Sequence, residues 1–317
     1  MAEKEAPELE WRISSVAPVR TPGRFRTLAE AIDSDVDFRP TIAARAFPPK
    51  RRLKGSFAEY AAALETRFDP AEAEGCFYRR DVIPRGSGDV LVIDNGRLRH
   101  NQTHNISGGF EDVEWFASAE RLERLSDYLV RVADAFGAYY GSCCLNLLQT
   151  QRIRYLRKNA PTWLGRVTRV GRVLEDPERE VSDVYWWNYF GPAFVERWGG
   201  HLDSVGVRRA KTQAGAIVVW ATESPIVLDP KVRTVGGYRW KHPFYEALGR
   251  DVFMWEGQRQ RAPGEVVPSW NDHHRAAGVD VASLQGPDRP IVKGKFLPRV
   301  VVLQDANPLE EPDERLT

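Results

Sequence analysis

The sequence predicts an α+β fold, with a mixed, mainly antiparallel sheet and helices packed on one face of it. Three observations lead to this prediction. Patterns typical of β-hairpins lie around Asn95-Gly96 and Thr212-Gln213, and the pattern of a long amphipathic helix lies between them over 118–136. Hydrophobic residues make up 42% and charged residues 28% of the 317-residue chain, which is the balance of an ordinary globular protein.

The first segment, 1–49, is expected to be an irregular N-terminal arm. It is rich in proline, arginine and small residues, and its apolar residues show weak periodicity. A cluster of basic residues follows, and such a run usually lies in a solvated loop. A second interpretation makes it a contact for an acidic partner or for nucleic acid. The residues are Lys50, Arg51, Arg52 and Lys54.

The elements of the first half follow in order. A helix is predicted over 56–68, because a serine N-cap precedes apolar residues at helical spacing. Asn95-Gly96 favours the positive φ angles of a type I′ turn, which predicts a β-hairpin there. The amphipathic helix 118–136 is predicted to end at a glycine, and the apolar run 139–149 is a buried strand or a short helix.

The second half has the order strand, helix, hairpin. A short strand is predicted over 184–187. Pro192 indicates the first helical turn, where proline needs no amide partner, and Gly199-Gly200 is predicted to end that helix. Two strands joined by Thr212-Gln213 are predicted to form the second hairpin. The later predicted elements are a helix at 242–249 and strands at 250–257 and 298–304.

The domain organisation follows from these elements. After the arm, we expect one α+β domain over 50–304. The segment 305–317 contains five acidic residues, one basic residue and two prolines, so we expect a disordered acidic tail.

Composition indicates a compartment and excludes some partners. No apolar run approaches the roughly 20 residues that a membrane-spanning helix needs, and no signal-peptide pattern opens the sequence. The three cysteines are an odd number, and Cys143 and Cys144 are adjacent, so we expect a cytoplasmic protein with reduced thiols. A net charge of +1 provides no overall attraction for nucleic acid.

Catalytic and metal-binding patterns are weak. His100 and His104 lie four apart in a predicted strand, about 13 Å from each other at strand rise, which is too far for one metal ion. His273 and His274, next to Asp272, lack identifiable further ligands. No Walker loop, G-x-G-x-x-G, G-x-S-x-G or S-x-x-K motif is present. No catalytic residue, metal site or cofactor is therefore predicted.

Two further groups of residues have structural interpretations. The adjacent cysteines lie in an apolar run, where buried and inert thiols are expected. Four glycines near the first hairpin are interpreted as turn residues rather than as a phosphate-binding loop. These glycines are Gly86, Gly88, Gly108 and Gly109.

The ten tryptophans are numerous for this length, and tryptophan is favoured in cores and at interface hot spots. Tyr185 and Trp187 lie on the alternate face of a predicted strand, and with Trp220 they are a candidate partner-binding patch. A second set has a structural interpretation, as residues that shape and fill the helix near position 192. These are Phe190, Gly191, Pro192, Trp198, Gly199 and Gly200.

The segment 184–200 combines an aromatic strand ending in W-x-x-F-G with a helix ending in W-G-G, and a strand then leads to a proline and an aspartate. In this pattern the stretch from Val90 to Trp255 resembles the type VI secretion immunity family of bacterial polymorphic-toxin systems. The helix 118–136 matches the helix that precedes the motif in that family. The matching residues are Trp187, Phe190, Gly191, Trp198, Gly199, Gly200, Pro225 and Asp229.

The leading hypothesis is a non-enzymatic protein-binding module, an immunity protein that occludes the active site of a cognate toxin or effector. It implies a protein partner, with no cofactor, nucleic acid or membrane. One alternative is a hydrolase or nuclease-like enzyme of a bacterial defence or toxin system, with a site assembled from distant acids and histidines. Another is a nucleic-acid-associated subunit that uses the basic residues 50–54 with Arg152, Arg154, Arg157 and Lys158.

Overall fold

The computed structural model describes residues 8–15, 23–67, 74–92, 104–145, 181, 184–225, 242–249 and 252. Within them, nine β-strands form one sheet, accompanied by five α-helices. The strands are β1 (Leu9–Ser15), β2 (Ile42–Ala44), β3 (Glu74–Arg80), β4 (Gly86–Val92), β5 (His104–Phe110), β6 (Ala138–Leu145), β7 (Trp187–Phe190), β8 (Arg208–Lys211) and β9 (Ile217–Trp220). The helices are α1 (Arg24–Asp33), α2 (Phe57–Glu65), α3 (Ala119–Phe136), α4 (Pro192–Leu202) and α5 (His242–Leu248).

The sheet has the strand order β2-β3-β4-β5-β1-β6-β7-β9-β8. Every pair of neighbouring strands in the described residues is antiparallel. The predicted α+β class, with a large antiparallel sheet and several helices, is confirmed. Among the described residues, no helix combines the length and the apolar character that crossing a membrane requires.

The prediction of an irregular arm over 1–49 is wrong for the described residues of that segment. β1 pairs with both β5 and β6 near the middle of the sheet, and its Leu9, Trp11 and Ile13 are buried. α1 and β2 follow it. The strand is seven residues long and its partners lie about a hundred residues away, so no local turn pattern marks it. The predicted domain over 50–304 and the acidic tail at 305–317 stay predictions, and the tail lies outside the described residues.

The strands β4 and β5 pair where the first hairpin is predicted, but their register excludes the predicted two-residue turn. Leu91 lies opposite Asn105, whereas a turn at Asn95-Gly96 would place residue 91 opposite residue 100. The observed register sets Val90 opposite Ile106, and both side chains are buried. Burial of alternate side chains therefore decides the pairing. Asn95 and Gly96 lie outside the described residues.

Two predicted helices are confirmed, and capping residues set their ends. Before α2, the Ser56 hydroxyl accepts a hydrogen bond from Glu59 N (3.0 Å), and the Glu59 carboxylate accepts one from Ser56 N (3.1 Å). Before α3, the Ser118 hydroxyl accepts a hydrogen bond from Arg121 N (3.2 Å). α3 stops at Gly137, whose φ of 60° is the left-handed conformation that glycine adopts at little cost.

The helix predicted at Pro192 is α4. Pro192 occupies its first turn after Gly191, the N-cap residue. The prediction that Gly199-Gly200 ends this helix is wrong, because α4 continues to Leu202. Leu202 is buried, so its burial outweighs the low helix propensity of the two glycines.

The remaining predicted elements differ only in their bounds. β7 spans Trp187–Phe190, so it lies three residues further along the chain than the predicted strand 184–187. β8 and β9 form the second hairpin, with Thr212 N donating to Ala216 O (2.9 Å) and Gly215 at φ 85°. The helix predicted at 242–249 is α5, and the run 139–149 contains the strand β6. Of the predicted strand 250–257 the structure describes only Val252, and the predicted strand 298–304 lies outside the described residues.

Alternation along β7 separates two hydrophobic cores. Trp187 and Tyr189 pack with residues of α1, α2 and α3, whereas Phe190 packs with residues of α4 and α5. Because neighbouring side chains of a strand point to opposite faces, these two helix groups lie on opposite faces of the sheet. The prediction that the helices pack on one face is therefore wrong. The helices α4 and α5 cover the second face at the β6-β7-β9 end.

A row of paired residues crosses all nine strands on the face that α3 covers. In its middle, Gly88 and Gly108 lie opposite each other, with Tyr78 beside the first and Trp11 beside the second. A Cβ on Gly88 would lie 2.4 Å from the Tyr78 ring, and one on Gly108 would lie 2.7 Å from the Trp11 ring. The two aromatic side chains therefore cover the glycine positions. The interpretation of these strand glycines as turn residues is wrong.

A buried aspartate joins the end of α1 to α3. Asp35 accepts hydrogen bonds from Nε and Nη2 of Arg124, each 2.8 Å long, and one from Asp37 N (2.9 Å). Burial alone would raise the pKa of Asp35, but the hydrogen bonds from Arg124 and Asp37 N outweigh it and lower this pKa. The folded state therefore favours the ionised carboxylate.

Replacing Asp35 with asparagine is expected to remove an acid-sensitive part of the stability. Because the folded-state pKa lies below the unfolded one, this part is present above about pH 4 and is lost as pH falls through the folded-state value. Arg124 is partly exposed and water screens the pair, so we expect Asp35→Asn to cost about 1 kcal/mol at pH 7. Urea unfolding at pH 7 and pH 3 measures this. An equal cost at both pH values, or a similar effect of Asp127→Asn on exposed α3 surface, would contradict it.

Candidate protein-binding surfaces

The three aromatic residues predicted as a partner-binding patch do not form one exposed surface. Trp187 is 0% exposed and Tyr185 is buried, whereas Trp220 is half-buried. Trp187 and Trp220 lie opposite each other on β7 and β9. Trp187 Nε1 donates a hydrogen bond to Ser126 Oγ of α3 (3.0 Å). The Trp187 ring is therefore a core element between the sheet and α3.

Tyr185 lies before β7, where Asn188 holds the backbone. Tyr185 N donates to Asn188 Oδ1 (2.8 Å), and Asn188 Nδ2 donates to Tyr185 O (2.7 Å). Asn188 is fully buried, and its side chain also donates to Val219 O (3.3 Å). No functional or structural role is predicted for Asn188 from the sequence. Its place between buried aromatic residues of a strand is the signal that could have identified a buried amide with paired polar groups.

Trp220 is the member of the predicted patch that reaches the surface. The Arg208 guanidinium lies over its ring, 4.3 Å from the centroid, and Arg208 also forms an ion pair with Glu123 of α3. A cation over an aromatic face is attracted by the negative charge of the ring face. Arg208 therefore covers the outer part of Trp220.

The residues with a predicted structural role lie where β7 meets α4. The Phe190 ring lies 5.1 Å from the Phe194 ring, and Trp198 packs against the same core. A Cβ on Gly191 would lie 2.6 Å from Ala138 O, so the close approach of β6 requires glycine there. Gly199 and Gly200 lie within α4. Pro225 is buried and Asp229 lies outside the described residues.

The candidate reactive side chains do not assemble into a catalytic group in the described residues. Cys143 is fully buried, and this burial raises the pKa of its thiol, as it does for Cys76. His104 is buried in β5, and the other predicted histidines lie outside the described residues. No three histidine, cysteine, aspartate or glutamate residues of the described ranges form a group that could hold a metal ion.

A polar row lies on the sheet face opposite α3. It runs through Asp89, Ser107, Arg12, Ser142 and Asn188, which are successive cross-strand partners. Arg12 is exposed in the middle of this row. We name these five residues the polar row.

The polar row is held by hydrogen bonds between neighbouring strands. Arg12 donates from Nε (3.2 Å) and Nη2 (3.1 Å) to Asn105 Oδ1, and Ser107 Oγ donates to Asp89 Oδ1 (2.5 Å). Burial raises the pKa of Asp89, although Ser107 and Arg12 act in the opposite direction. Asp89, Ser107 and Arg12 therefore present a fixed polar surface near the middle of the sheet, whereas Ser142 and Asn188 of the row are buried. The alternation of Glu10, Arg12 and Ser14 with buried residues is the sequence signal for it.

A second surface lies at the β2 edge of the sheet, and we name residues 45–54 the basic edge. The chain turns back after β2 so that Ala43 N donates to Arg51 O and Leu53 N donates to Thr41 O, both at 3.0 Å. Leu53 packs against the core, whereas Lys50, Arg51, Arg52 and Lys54 are exposed. The basic residues that the sequence singled out are therefore on the surface. Arg152, Arg154, Arg157 and Lys158 lie outside the described residues.

The basic edge also carries the most exposed large apolar side chain among the described residues. Phe47 is 72% exposed, and its ring lies 5.6 Å from the ring of Phe77. Phe77 lies opposite Asp89, the first residue of the polar row. Phe47 of the basic edge therefore lies on the same face of the sheet as the polar row.

Comparisons with known proteins identify a relative in fold. Neither known protein families nor curated protein sequences match the chain. Among solved structures, the chain is similar to the Pseudomonas aeruginosa T6SS protein PA0821, with a TM-score of 0.52 and 11% sequence identity. The match covers 84% of this chain and 80% of that one. At this level of identity the similarity shows a shared fold.

Proposed function

We propose that this chain is a non-enzymatic immunity protein of a type VI secretion toxin system, which binds a cognate toxin and occludes its active site. The observation that carries the proposal is the similarity in fold, over most of both chains, to a protein described as a T6SS protein. The motif from Trp187 to Gly200, which resembles the immunity family, supports it independently. Fold alone does not transfer function, so the proposal depends on a binding test.

The described surfaces suit stable binding better than turnover. The aromatic side chains of the motif fill cores, and the exposed groups on the open part of the sheet are fixed hydrogen-bonding and cationic side chains. Fixed polar groups around an apolar anchor provide affinity and specificity in protein interfaces. The mechanism would be steric exclusion of the toxin's substrate, in the cytoplasm, by a single folded domain.

The experiment has two stages. The tagged full chain is produced in its native host, and any protein that co-purifies in a one-to-one complex is identified by mass spectrometry. That protein is then produced alone and with the chain in a sensitive bacterium. We expect it to stop growth alone, and we expect co-production of the chain to restore growth.

The purified chain should also inhibit the toxin's enzymatic activity at one-to-one stoichiometry. A co-purifying protein that is not toxic, or a toxin that stays fully active in the complex, would contradict the proposal. A chain that retains a metal ion or nucleic acid and no protein would favour the enzyme or the nucleic-acid alternative.

A further inference from the structure

The basic edge carries an excess of basic over acidic residues. Between positions 45 and 54 the sequence contains five basic residues and no acidic residue. Arg52 forms an ion pair with Asp81 (2.5 Å), yet its side chain is still 76% exposed. Within the described residues, Lys50, Arg51 and Lys54 form no ion pair. The nearby Glu59 is engaged in capping α2.

The backbone of the basic edge is fixed on both sides of the charged residues. Besides the backbone hydrogen bonds of Arg51 and Leu53 to β2, Asp81 accepts a hydrogen bond from the Thr41 hydroxyl (2.7 Å). Asp81 thereby links Arg52 to the start of β2. A surface ordered in advance loses less conformational entropy when it binds, so its contacts contribute more to affinity.

Phe47 gives the basic edge an apolar centre. Its ring rests against Phe77 and is otherwise mostly open to water. An exposed aromatic side chain in a segment rich in arginine and lysine has the composition of an interface hot spot, because the ring fills a pocket while the cations select an acidic rim. The core gains little from this ring in the free protein.

We infer that the basic edge docks an acidic protein surface, with Phe47 inserted into an apolar pocket of the partner and Lys50, Arg51 and Lys54 against its carboxylates. This inference rests on the proposed function, because the partner is the toxin. Charge complementarity determines the choice of occupant: an excess of exposed cations on a nearly neutral chain selects an anionic surface. The exposed phenyl ring favours a protein pocket over a phosphate backbone.

The test measures the dissociation constant of the complex with the captured toxin by isothermal titration calorimetry at 50 and 150 mM NaCl. We expect Phe47→Ala to weaken binding about 30-fold. The double variant Lys50→Glu with Arg51→Glu should weaken it about 10-fold or more, with the larger loss at low salt. Thermal unfolding should stay unchanged, because these side chains are exposed.

Matched controls lie elsewhere on the surface. Val36→Ala removes another exposed apolar side chain, next to Asp35 and its ion pair with α3, and Lys211→Glu reverses an exposed charge on β8, at the other edge of the sheet. Both should change the dissociation constant less than about 2-fold. Equal losses for control and test variants would show that the effect is not specific to the basic edge and would overturn the inference.

The outcomes separate the inference from the proposed function. If the chain neutralises a toxin and the basic-edge variants bind it normally, the inference is wrong and the immunity function stands. If no toxin complex exists, both are wrong. Fluorescence anisotropy with a labelled 20-nucleotide single strand and a 20-base-pair duplex tests whether the basic edge binds nucleic acid. Nucleic-acid binding that the same variants abolish, with the toxin complex unaffected, would assign the basic edge to nucleic acid instead.

Discussion

Trp187→Ala is expected to lower the free energy of unfolding by about 4 kcal/mol. The ring is completely buried between β7 and α3, so its removal leaves a large cavity in the principal core. The variant also removes the Trp187 Nε1 donor, which lies 3.0 Å from Ser126 Oγ. Ser126 is itself buried, so its hydroxyl would lose this hydrogen-bond partner away from water. Urea unfolding followed by circular dichroism measures the change.

Trp220→Ala is the matched control, because Trp220 is the cross-strand neighbour of Trp187 and is only half-buried. Its loss should cost about 1 to 2 kcal/mol, through lost burial and the lost contact with Arg208. A Trp187→Ala variant with unchanged stability that no longer bound the toxin would show that Trp187 acts at an interface. That result would contradict its assignment to the core.

Gly108→Ala is expected to destabilise the fold by about 3 kcal/mol, although it adds one methyl group. The new Cβ would lie 2.7 Å from the Trp11 ring, which is itself buried against Tyr128 and cannot move freely. The backbone of β5 would have to shift away from β1, and its hydrogen bonds to both neighbouring strands would weaken. Thermal unfolding and urea unfolding both report the loss.

Two variants test the reason for this effect. Gly200→Ala makes the same chemical change in α4, where the new Cβ meets nothing within 4 Å, and should stabilise the protein by about 0.5 to 1 kcal/mol. Combining Gly108→Ala with Trp11→Leu should cost less than the sum of the two single variants, because the smaller side chain makes room. Strict additivity would show that the Trp11 contact is not the cause.

Local sequence patterns determined the elements whose ends depend on neighbouring residues. The serine cap sufficed to locate α2, the apolar stripe and the glycine stop located α3, and Pro192 located the start of α4. These interactions join residues a few positions apart, so residue types and their spacing are enough to predict them. The basic residues 50–54 were likewise correctly predicted to be on the surface.

The sequence by itself therefore determined the α+β class, the main helices and the hairpin of β8 and β9, since each depends on periodicity, capping or turn residues within one segment. Only the tertiary structure decided that β1 lies inside the sheet, that Gly108 sits under Trp11, and that Trp187 is buried rather than exposed. Each of these depends on which distant strand lies alongside. That choice is made by burial of the whole sheet face against α3, a property no single segment contains.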